Sequence, residues 1–186
     1  MAAISDDPGF SPQDPTDGRS PGDWKTRYCP DASKGIRIEA LVLTGYLLIT
    51  IAAISTLYME GPKALLSLTE SKYLNISRYG YAFFGGFLGG TMFSLKWLIH
   101  TVAKAIWNED RRLWRFLVPV NSGFLAFAVV ILIDSGLFSQ QAMARPAAVI
   151  GVGFITGYFS DQAMGKLGEL AQVLFGMTKP TRRKES

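Results

Sequence analysis

Cysteine and histidine are almost absent from this chain of 186 residues, which has one of each, Cys29 and His100. A single cysteine excludes an internal disulfide framework and any metal site built from several cysteines. A single histidine excludes a histidine-rich metal cluster. The sequence also contains no pairing of nucleophile and base and no phosphate-binding loop. We therefore expect a protein that is not an enzyme and that binds no metal or cofactor.

Charge is also scarce in the middle of the chain, and residues 40–59 contain none in twenty consecutive positions. A helix of that length measures roughly 30 Å, the thickness of the hydrocarbon core of a bilayer. A helix of a soluble bundle would need a polar face, which this segment lacks. The sequence therefore predicts an integral membrane protein, with further apolar blocks at residues 79–95, 116–133 and 146–159.

Lysine and arginine are distributed unevenly among the segments that flank these blocks. Fifteen of the 19 lie in the N-terminal tail, around the second connection and in the C-terminal part, and four lie in the first and third connections. Because cytoplasmic segments are enriched in basic residues, this bias predicts four spans with both termini in the cytoplasm. The expected location is a cell membrane, and a bacterial inner membrane in particular.

The predicted fold class is an all-α membrane protein, a four-transmembrane-helix bundle with a disordered N-terminal tail and a C-terminal amphipathic helix. The fourth block has only 14 uncharged residues, so by length alone it also fits a re-entrant or interfacial segment. The charge bias favours a full crossing. The bundle is expected over residues 37–160, with spans at about 40–59, 79–104, 115–134 and 146–160.

The two ends of the chain differ in character. Residues 1–36 are rich in proline, aspartate, glycine and serine, so we expect a disordered cytoplasmic tail. Residues 161–186 begin as an amphipathic helix and end in a basic tail. The polar face of this helix carries at least as many acids as bases, which favours docking on the bundle or on another protein over binding to anionic lipid. The predicted docking residues are Met164, Leu167, Leu170, Leu174 and Phe175.

Small residues recur with helical spacing in the second and fourth blocks. Such strips let helix backbones approach closely within a membrane. We expect the second and fourth spans to be in contact, within one chain or across a subunit interface; the alternative is that glycine is simply common in membrane helices. The residues concerned are Ala82, Gly85, Gly86, Gly89 and Gly90 in the second span, with Gly153 and Gly157 in the fourth.

A basic stripe lies at the cytoplasmic end of the second span, and two tryptophans, Trp107 and Trp114, flank the charged turn that comes after it. Tryptophans at headgroup level and cations near lipid phosphates favour an interfacial anchor. The alternative is a cytoplasmic basic surface that docks a partner. The residues of this predicted basic surface are Lys96, His100, Lys104, Arg111, Arg112 and Arg115.

Three polar residues belong to the third span or adjoin it, namely Asn121, Ser122 and Asp134. Hydrogen bonding between helices is the favoured role for Asn121 and Ser122. The alternative is a polar pathway for ions that also includes Asp134.

These patterns together favour a non-enzymatic membrane subunit or effector that forms oligomers through its helices and docks a cytoplasmic protein. The alternative is an oligomeric ion channel or pore. The expected partners are the lipid bilayer, copies of the same chain or other subunits of a membrane complex, and a cytoplasmic protein. Nucleic acid is not expected, because the net charge of +4 is accounted for by membrane orientation.

Overall fold

The computed structural model describes residues 26–137 and 145–174, and every regular element within those ranges is a helix. A short 3-10 helix, Glu109–Arg111, precedes α4, and a wider turn, Ile133–Leu137, follows it. The six α-helices are α1 (Pro30–Tyr58), α2 (Gly61–Leu66), α3 (Glu70–Ala103), α4 (Arg112–Leu132), α5 (Pro146–Tyr158) and α6 (Ser160–Leu174). The prediction of an all-helical fold is confirmed for these residues.

Three segments are long and apolar enough to cross a membrane, namely Pro30–Tyr58, Glu70–Ala103 and Glu109–Gly136. They contain 29, 34 and 28 residues, more than the roughly 20 that a bilayer requires. The helix in the fourth predicted span, α5, is apolar but has only 13 residues. The structure is therefore compatible with a membrane protein, and the fourth crossing stays a prediction.

The first helix begins earlier than the sequence indicated. α1 starts at Pro30, so the boundary of the predicted disordered tail at residue 36 lies too late. Proline is well suited to the first turn of a helix, where its missing N–H would have no partner anyway. Asp31 in the same turn complements the positive end of the helix dipole. The rest of the predicted tail, residues 1–25, lies outside the described residues.

α1 and α3 are joined through α2 by a tight connection. Glu60 and Ser67, which flank α2, adopt left-handed backbone conformations with φ of 56° and 48°. The Lys63 ammonium donates hydrogen bonds to the carboxylates of Glu60, at 2.7 Å, and of Glu70. These bonds raise the pKa of Lys63 above its ordinary value. The connection returns the chain so that α3 runs antiparallel to α1.

α3 is the central helix, and two adjacent strips of glycine bring two different helices against it. A Cβ on Gly85 would lie 2.6 Å from the carbonyl oxygen of Ile150 in α5, and one on Gly90 would lie 2.6 Å from Cβ of Ser122 in α4. Gly89 also contacts α5, and Gly86 also contacts α4. Neighbouring positions on a helix point about 100° apart, so two adjacent glycines, such as Gly85 and Gly86, face different neighbouring helices.

The order of these contacts sets the directions of the helices. Residues further along α3 meet residues further along α5, so the two helices are parallel, whereas α4 runs antiparallel to both. Two hydroxyl groups link the helices at the contacts. Ser94 Oγ donates to the carbonyl oxygen of Arg115, and Ser122 Oγ donates to that of Gly157, both at 3.1 Å. In an apolar environment such bonds satisfy polar atoms that water cannot reach.

α1 lies at the edge of the bundle. Of the residues in its most apolar window, 11% are buried, against 44% for α3. It meets α3 through Leu43, which is fully buried, and through Tyr46, whose ring packs edge-on against Phe87 at 5.3 Å. Its opposite face exposes a continuous set of large apolar side chains, among them Leu41, Leu48, Ile49 and Ile51. A surface of this kind suits contact with lipid or another helix.

We expect Gly153→Leu to destabilise the fold, because a Cβ at this position would lie 2.6 Å from the backbone oxygen of Ala82. Backbone atoms in a packed helix cannot yield cheaply, so the loss should be about 3 kcal/mol. The measurement is thermal or denaturant unfolding in mild detergent. Gly151→Leu is the matched control, since nothing lies within 4 Å of a Cβ there. Equal stabilities of the two variants would contradict close packing of α5 on α3.

Candidate functional site

A buried ion pair joins α1 to α4 at one end of the bundle. Glu39 and Arg115 both have fully buried side chains. The Arg115 guanidinium donates to Glu39 through Nη2, at 3.1 Å, and through Nε to the other carboxylate oxygen. Such a two-pronged arrangement is the strongest geometry for an arginine and a carboxylate. We call the end of the bundle that contains this pair the Arg115 end.

Two further groups form hydrogen bonds with this pair, whereas Arg115 Nη1 is buried and has no partner among the described residues. The indole Nε1 of Trp107 donates to Glu39 at 2.9 Å, and Arg115 Nη2 donates to the carbonyl oxygen of Asn108 at 3.1 Å. Gly35 leaves room for the Trp107 ring, which would lie 3.0 Å from a Cβ there. The connection between α3 and α4 is therefore anchored to α1 through the carboxylate of Glu39.

The position of Arg115 corrects the predicted basic surface. Arg115 is enclosed by the bundle, because Glu39 supplies a counter-charge from a helix 76 residues earlier in the chain. Sequence reasoning missed Glu39 as a functional residue. The available signal was its position directly before the charge-free run at residues 40–59, where an acidic residue is costly without a partner.

The other residues of the predicted basic surface lie among acidic and aromatic side chains. Lys96 donates to the Tyr158 hydroxyl at 3.1 Å, and the His100 ring stacks on Trp97 at 5.6 Å. Arg112 pairs with Glu109 at 3.0 Å. Lys104 is exposed at the end of α3. Arg111 lines a cavity of about 550 Å³ together with Trp97, Trp114, Asp110 and Asp161. Carboxylates therefore accompany the cations, and no uniformly basic patch forms among the described residues at this end.

A second ion pair lies at the opposite end. Arg78 of α3 and Asp134, just after α4, are in contact, with Nη2 2.6 Å from Oδ1. Both side chains are mostly buried, with 33% and 20% of their surface exposed. Sequence reasoning placed Asp134 at the outer end of the third span but did not identify Arg78 as its partner. We call this end of the bundle the Arg78 end.

The predicted polar pathway does not converge within the chain. Ser122 is buried and bonded to Gly157, whereas its neighbour Asn121 points outward from the bundle. Asp134 lies roughly 18 Å further along α4 from Ser122 and is held by Arg78. Consecutive positions on a helix face different directions, so Asn121 and Ser122 cannot line one path inside a single chain.

Asn121 is a polar side chain on an otherwise apolar outer face of α4. Its neighbours on that face, Leu117 and Phe124, are 54% and 60% exposed. These residues border a shallow groove of about 410 Å³, together with Trp114 and Val118. Within the part of the chain that the structure describes, the Asn121 amide has no hydrogen-bond partner. We call this surface the α4 outer face.

The predicted docking residues fall in and beyond α6. Leu167 and Leu170 line a cavity of about 450 Å³ with Val129 and Leu132 of α4, so this part of the apolar face is turned towards the bundle. Met164 is 53% exposed. The side chain of Leu174 and the whole of Phe175 lie outside the described residues.

We expect Arg115→Met alone to destabilise the protein by about 3–5 kcal/mol, because it leaves a buried carboxylate without a counter-charge. The double variant Glu39→Met and Arg115→Met should recover most of this loss, since apolar side chains of similar volume replace a buried pair well. The measurement is denaturant unfolding in detergent. Arg112→Met, which removes an exposed pair in the same helix, should cost less than about 1 kcal/mol. A double variant no more stable than Arg115→Met would contradict this account.

No three side chains of histidine, cysteine, aspartate or glutamate within residues 26–137 and 145–174 lie close enough together to hold a metal ion. Comparison of the chain with protein-family models, with curated proteins and with solved structures finds no match.

Proposed function

We propose that this protein is a non-enzymatic subunit of a cell membrane that associates with copies of itself through the α4 outer face. In this proposal it is a multi-pass protein of a bacterial inner membrane, with four spans and both termini in the cytoplasm. The observation that carries the proposal is the exposed amide of Asn121 among apolar side chains.

Asn121 lies at a position along α4 where an amide without a hydrogen-bond partner would be energetically unfavourable in a membrane. It lies roughly 9 Å along α4 from Arg115 and roughly 20 Å from Asp134, so it is well inside the apolar length of the helix between the two ion pairs. In lipid no water satisfies an amide, and an unsatisfied amide costs a few kcal/mol. A partner within the membrane removes that cost.

A second copy of the same chain is the simplest partner. An asparagine amide both donates and accepts, so two copies related by a twofold axis can bond to each other through the same residue. Leu117 and Phe124, four positions before and three after Asn121, lie on the same helix face and would pack against their counterparts. The groove beside Asn121 offers space for side chains of the second α4.

The contacts of α5 support a fourth crossing in spite of its length. Pro146, at its start, lines a cavity with Arg78, and Tyr158, at its end, accepts a hydrogen bond from Lys96 near the Arg115 end. α5 thus meets α3 near both ends of the bundle. Polar side chains that flank a short helix, together with local thinning of the bilayer, accommodate a span of this kind.

We also propose that residues 161–186 bind a cytoplasmic protein. In the structure the apolar face of α6 lies against Val129 and Leu132, in the part of α4 nearest Asp134 and the Arg78 end, so docking in the cytoplasm would require release of α6 from this cavity. A pore, the alternative function, would need Asn121 from several copies to line a common path, because Ser122 and Asp134 already have partners within the chain.

We expect Asn121→Leu to weaken self-association in lipid roughly 3- to 30-fold, because it removes hydrogen bonds worth about 0.6–2 kcal/mol between membrane helices. Fluorescence energy transfer between labelled copies in liposomes at several protein densities measures the change. Thr44→Leu, which removes an exposed hydroxyl from α1, is the matched control and should leave association unchanged.

Two results would decide against the proposal. Equal association of Asn121→Leu and the native chain would exclude the α4 outer face as the interface. Ion flux through liposomes that contain the native chain, lost in Asn121→Leu, would favour the pore.

A further inference from the structure

The Arg78 end contains a small cavity, lined by both apolar and polar side chains, that self-association does not use. It has a volume of about 250 Å³ and lies between α3 and the first turn of α5. The polar and charged side chains that line it are Asn75, Ser77, Arg78, Tyr81 and Arg145. The cavity is on a different side of the bundle from the α4 outer face, because its walls are α3 and α5.

Positive charge exceeds negative charge around this cavity. Arg78 and Arg145 contribute two guanidinium groups, and one carboxylate, that of Asp134, contacts Arg78. Arg145 forms no ion pair with any residue that the structure describes. With two arginines and one carboxylate among the described residues here, the cavity has a net positive charge that a bound anion would neutralise.

Arg78 also has hydrogen-bonding capacity that the chain does not use. Its Nη2 faces Asp134, but its Nε is buried and has no hydrogen-bond partner among the described residues. A buried donor without an acceptor is unfavourable, so a bound acceptor within its reach would be favoured. The ion pair with Asp134 fixes the guanidinium, so little side-chain freedom is lost when a ligand binds.

Other groups in the cavity suit an oxyanion. The exposed amide of Asn75 can donate hydrogen bonds, and the positive end of the α5 dipole adds to the field of the two arginines. Arginine recognises the oxygens of phosphate with its planar fork, and it does so more specifically than lysine. The volume is suited to one phosphate group rather than to a nucleotide.

We propose that this cavity binds a phosphate oxyanion, with the guanidinium groups of Arg78 and Arg145 as its principal donors and with Asp134 holding Arg78 in position. Two sources supply this chemistry, the headgroup of an anionic phospholipid and free phosphate. The end of an apolar bundle is the depth at which lipid phosphates lie in a bilayer, so both can reach the cavity.

The experiment uses the full chain in mild detergent and two probes. Inorganic phosphate is added in place of chloride, so that the ionic strength stays constant. Binding is measured as a change in the thermal unfolding temperature. In parallel, the chain is mixed with phosphatidylglycerol, and retained lipid is counted by native mass spectrometry. A rise in unfolding temperature with inorganic phosphate identifies the free anion as the source, and retention of phosphatidylglycerol alone identifies the lipid headgroup.

The variants test the two donors separately. Arg145→Gln keeps the Arg78–Asp134 pair and should weaken binding about tenfold or more, as expected for loss of hydrogen bonds from a charged donor. Arg78→Lys keeps a charge beside Asp134 but removes Nε, and it should also weaken binding. Lys72→Gln is the matched control, because it removes an exposed cation from the same end of α3 without touching the cavity.

The proposal is overturned if neither probe binds, or if Lys72→Gln weakens binding as much as Arg145→Gln. Unfolding without ligand serves as a check on folding for each variant. This outcome is independent of self-association through Asn121, which lies on the α4 outer face.

Discussion

The close approach of α4 and α5 to α3 is the constraint on which the rest of the bundle depends. The Gly85–Gly89 pair admits α5, and the Gly86–Gly90 pair, one position further along the helix, admits α4. Only hydrogen atoms fit between these backbones, so larger side chains would move both neighbours outward. The hydrogen bond from Ser122 to Gly157, which joins α4 to α5, depends on the same proximity. Packing of small residues is the kind of helix contact expected where the hydrophobic effect is weak, as it is between helices in lipid.

The two ion pairs act on this packed arrangement from its ends. Glu39 and Arg115 attach the peripheral α1 to α4, and Arg78 and Asp134 attach α3 to the far end of α4. A buried pair contributes little net stability, because desolvation offsets the attraction between the charges. We infer that the pairs mainly select the correct neighbours, since any other rotation of α1 or α4 would leave a charge buried alone. Among the polar groups that lack a hydrogen-bond partner within the described residues, we assign binding to the Asn121 amide and to Arg78.

Some of this could be predicted from residues close together in the chain. Charge-free runs predicted the apolar helices, and the four-residue spacing of glycine in α3 predicted a close contact of its helix. The division of that strip between α4 and α5 could not be predicted, because Gly85 and Gly86 differ only in direction around the helix. The start of α1 at Pro30 was also missed. A proline-rich composition is typical of disorder, and the contact of Trp107 with Gly35, which fixes this part of α1, involves residues far apart in the chain. Arg115 was assigned to a surface because its counter-charge, the carboxylate of Glu39, is 76 positions away in the chain.

The sequence by itself therefore determined a chain of apolar helices, because hydropathy and helical spacing depend on near neighbours. It predicted four spans, of which three correspond to helices long enough to cross a membrane. Only the tertiary structure decided which charges pair, which face of α4 stays exposed and which arginines share a cavity. Each of these depends on the rotation of a helix about its own axis, and that rotation is fixed only when the helix packs against residues distant in the chain.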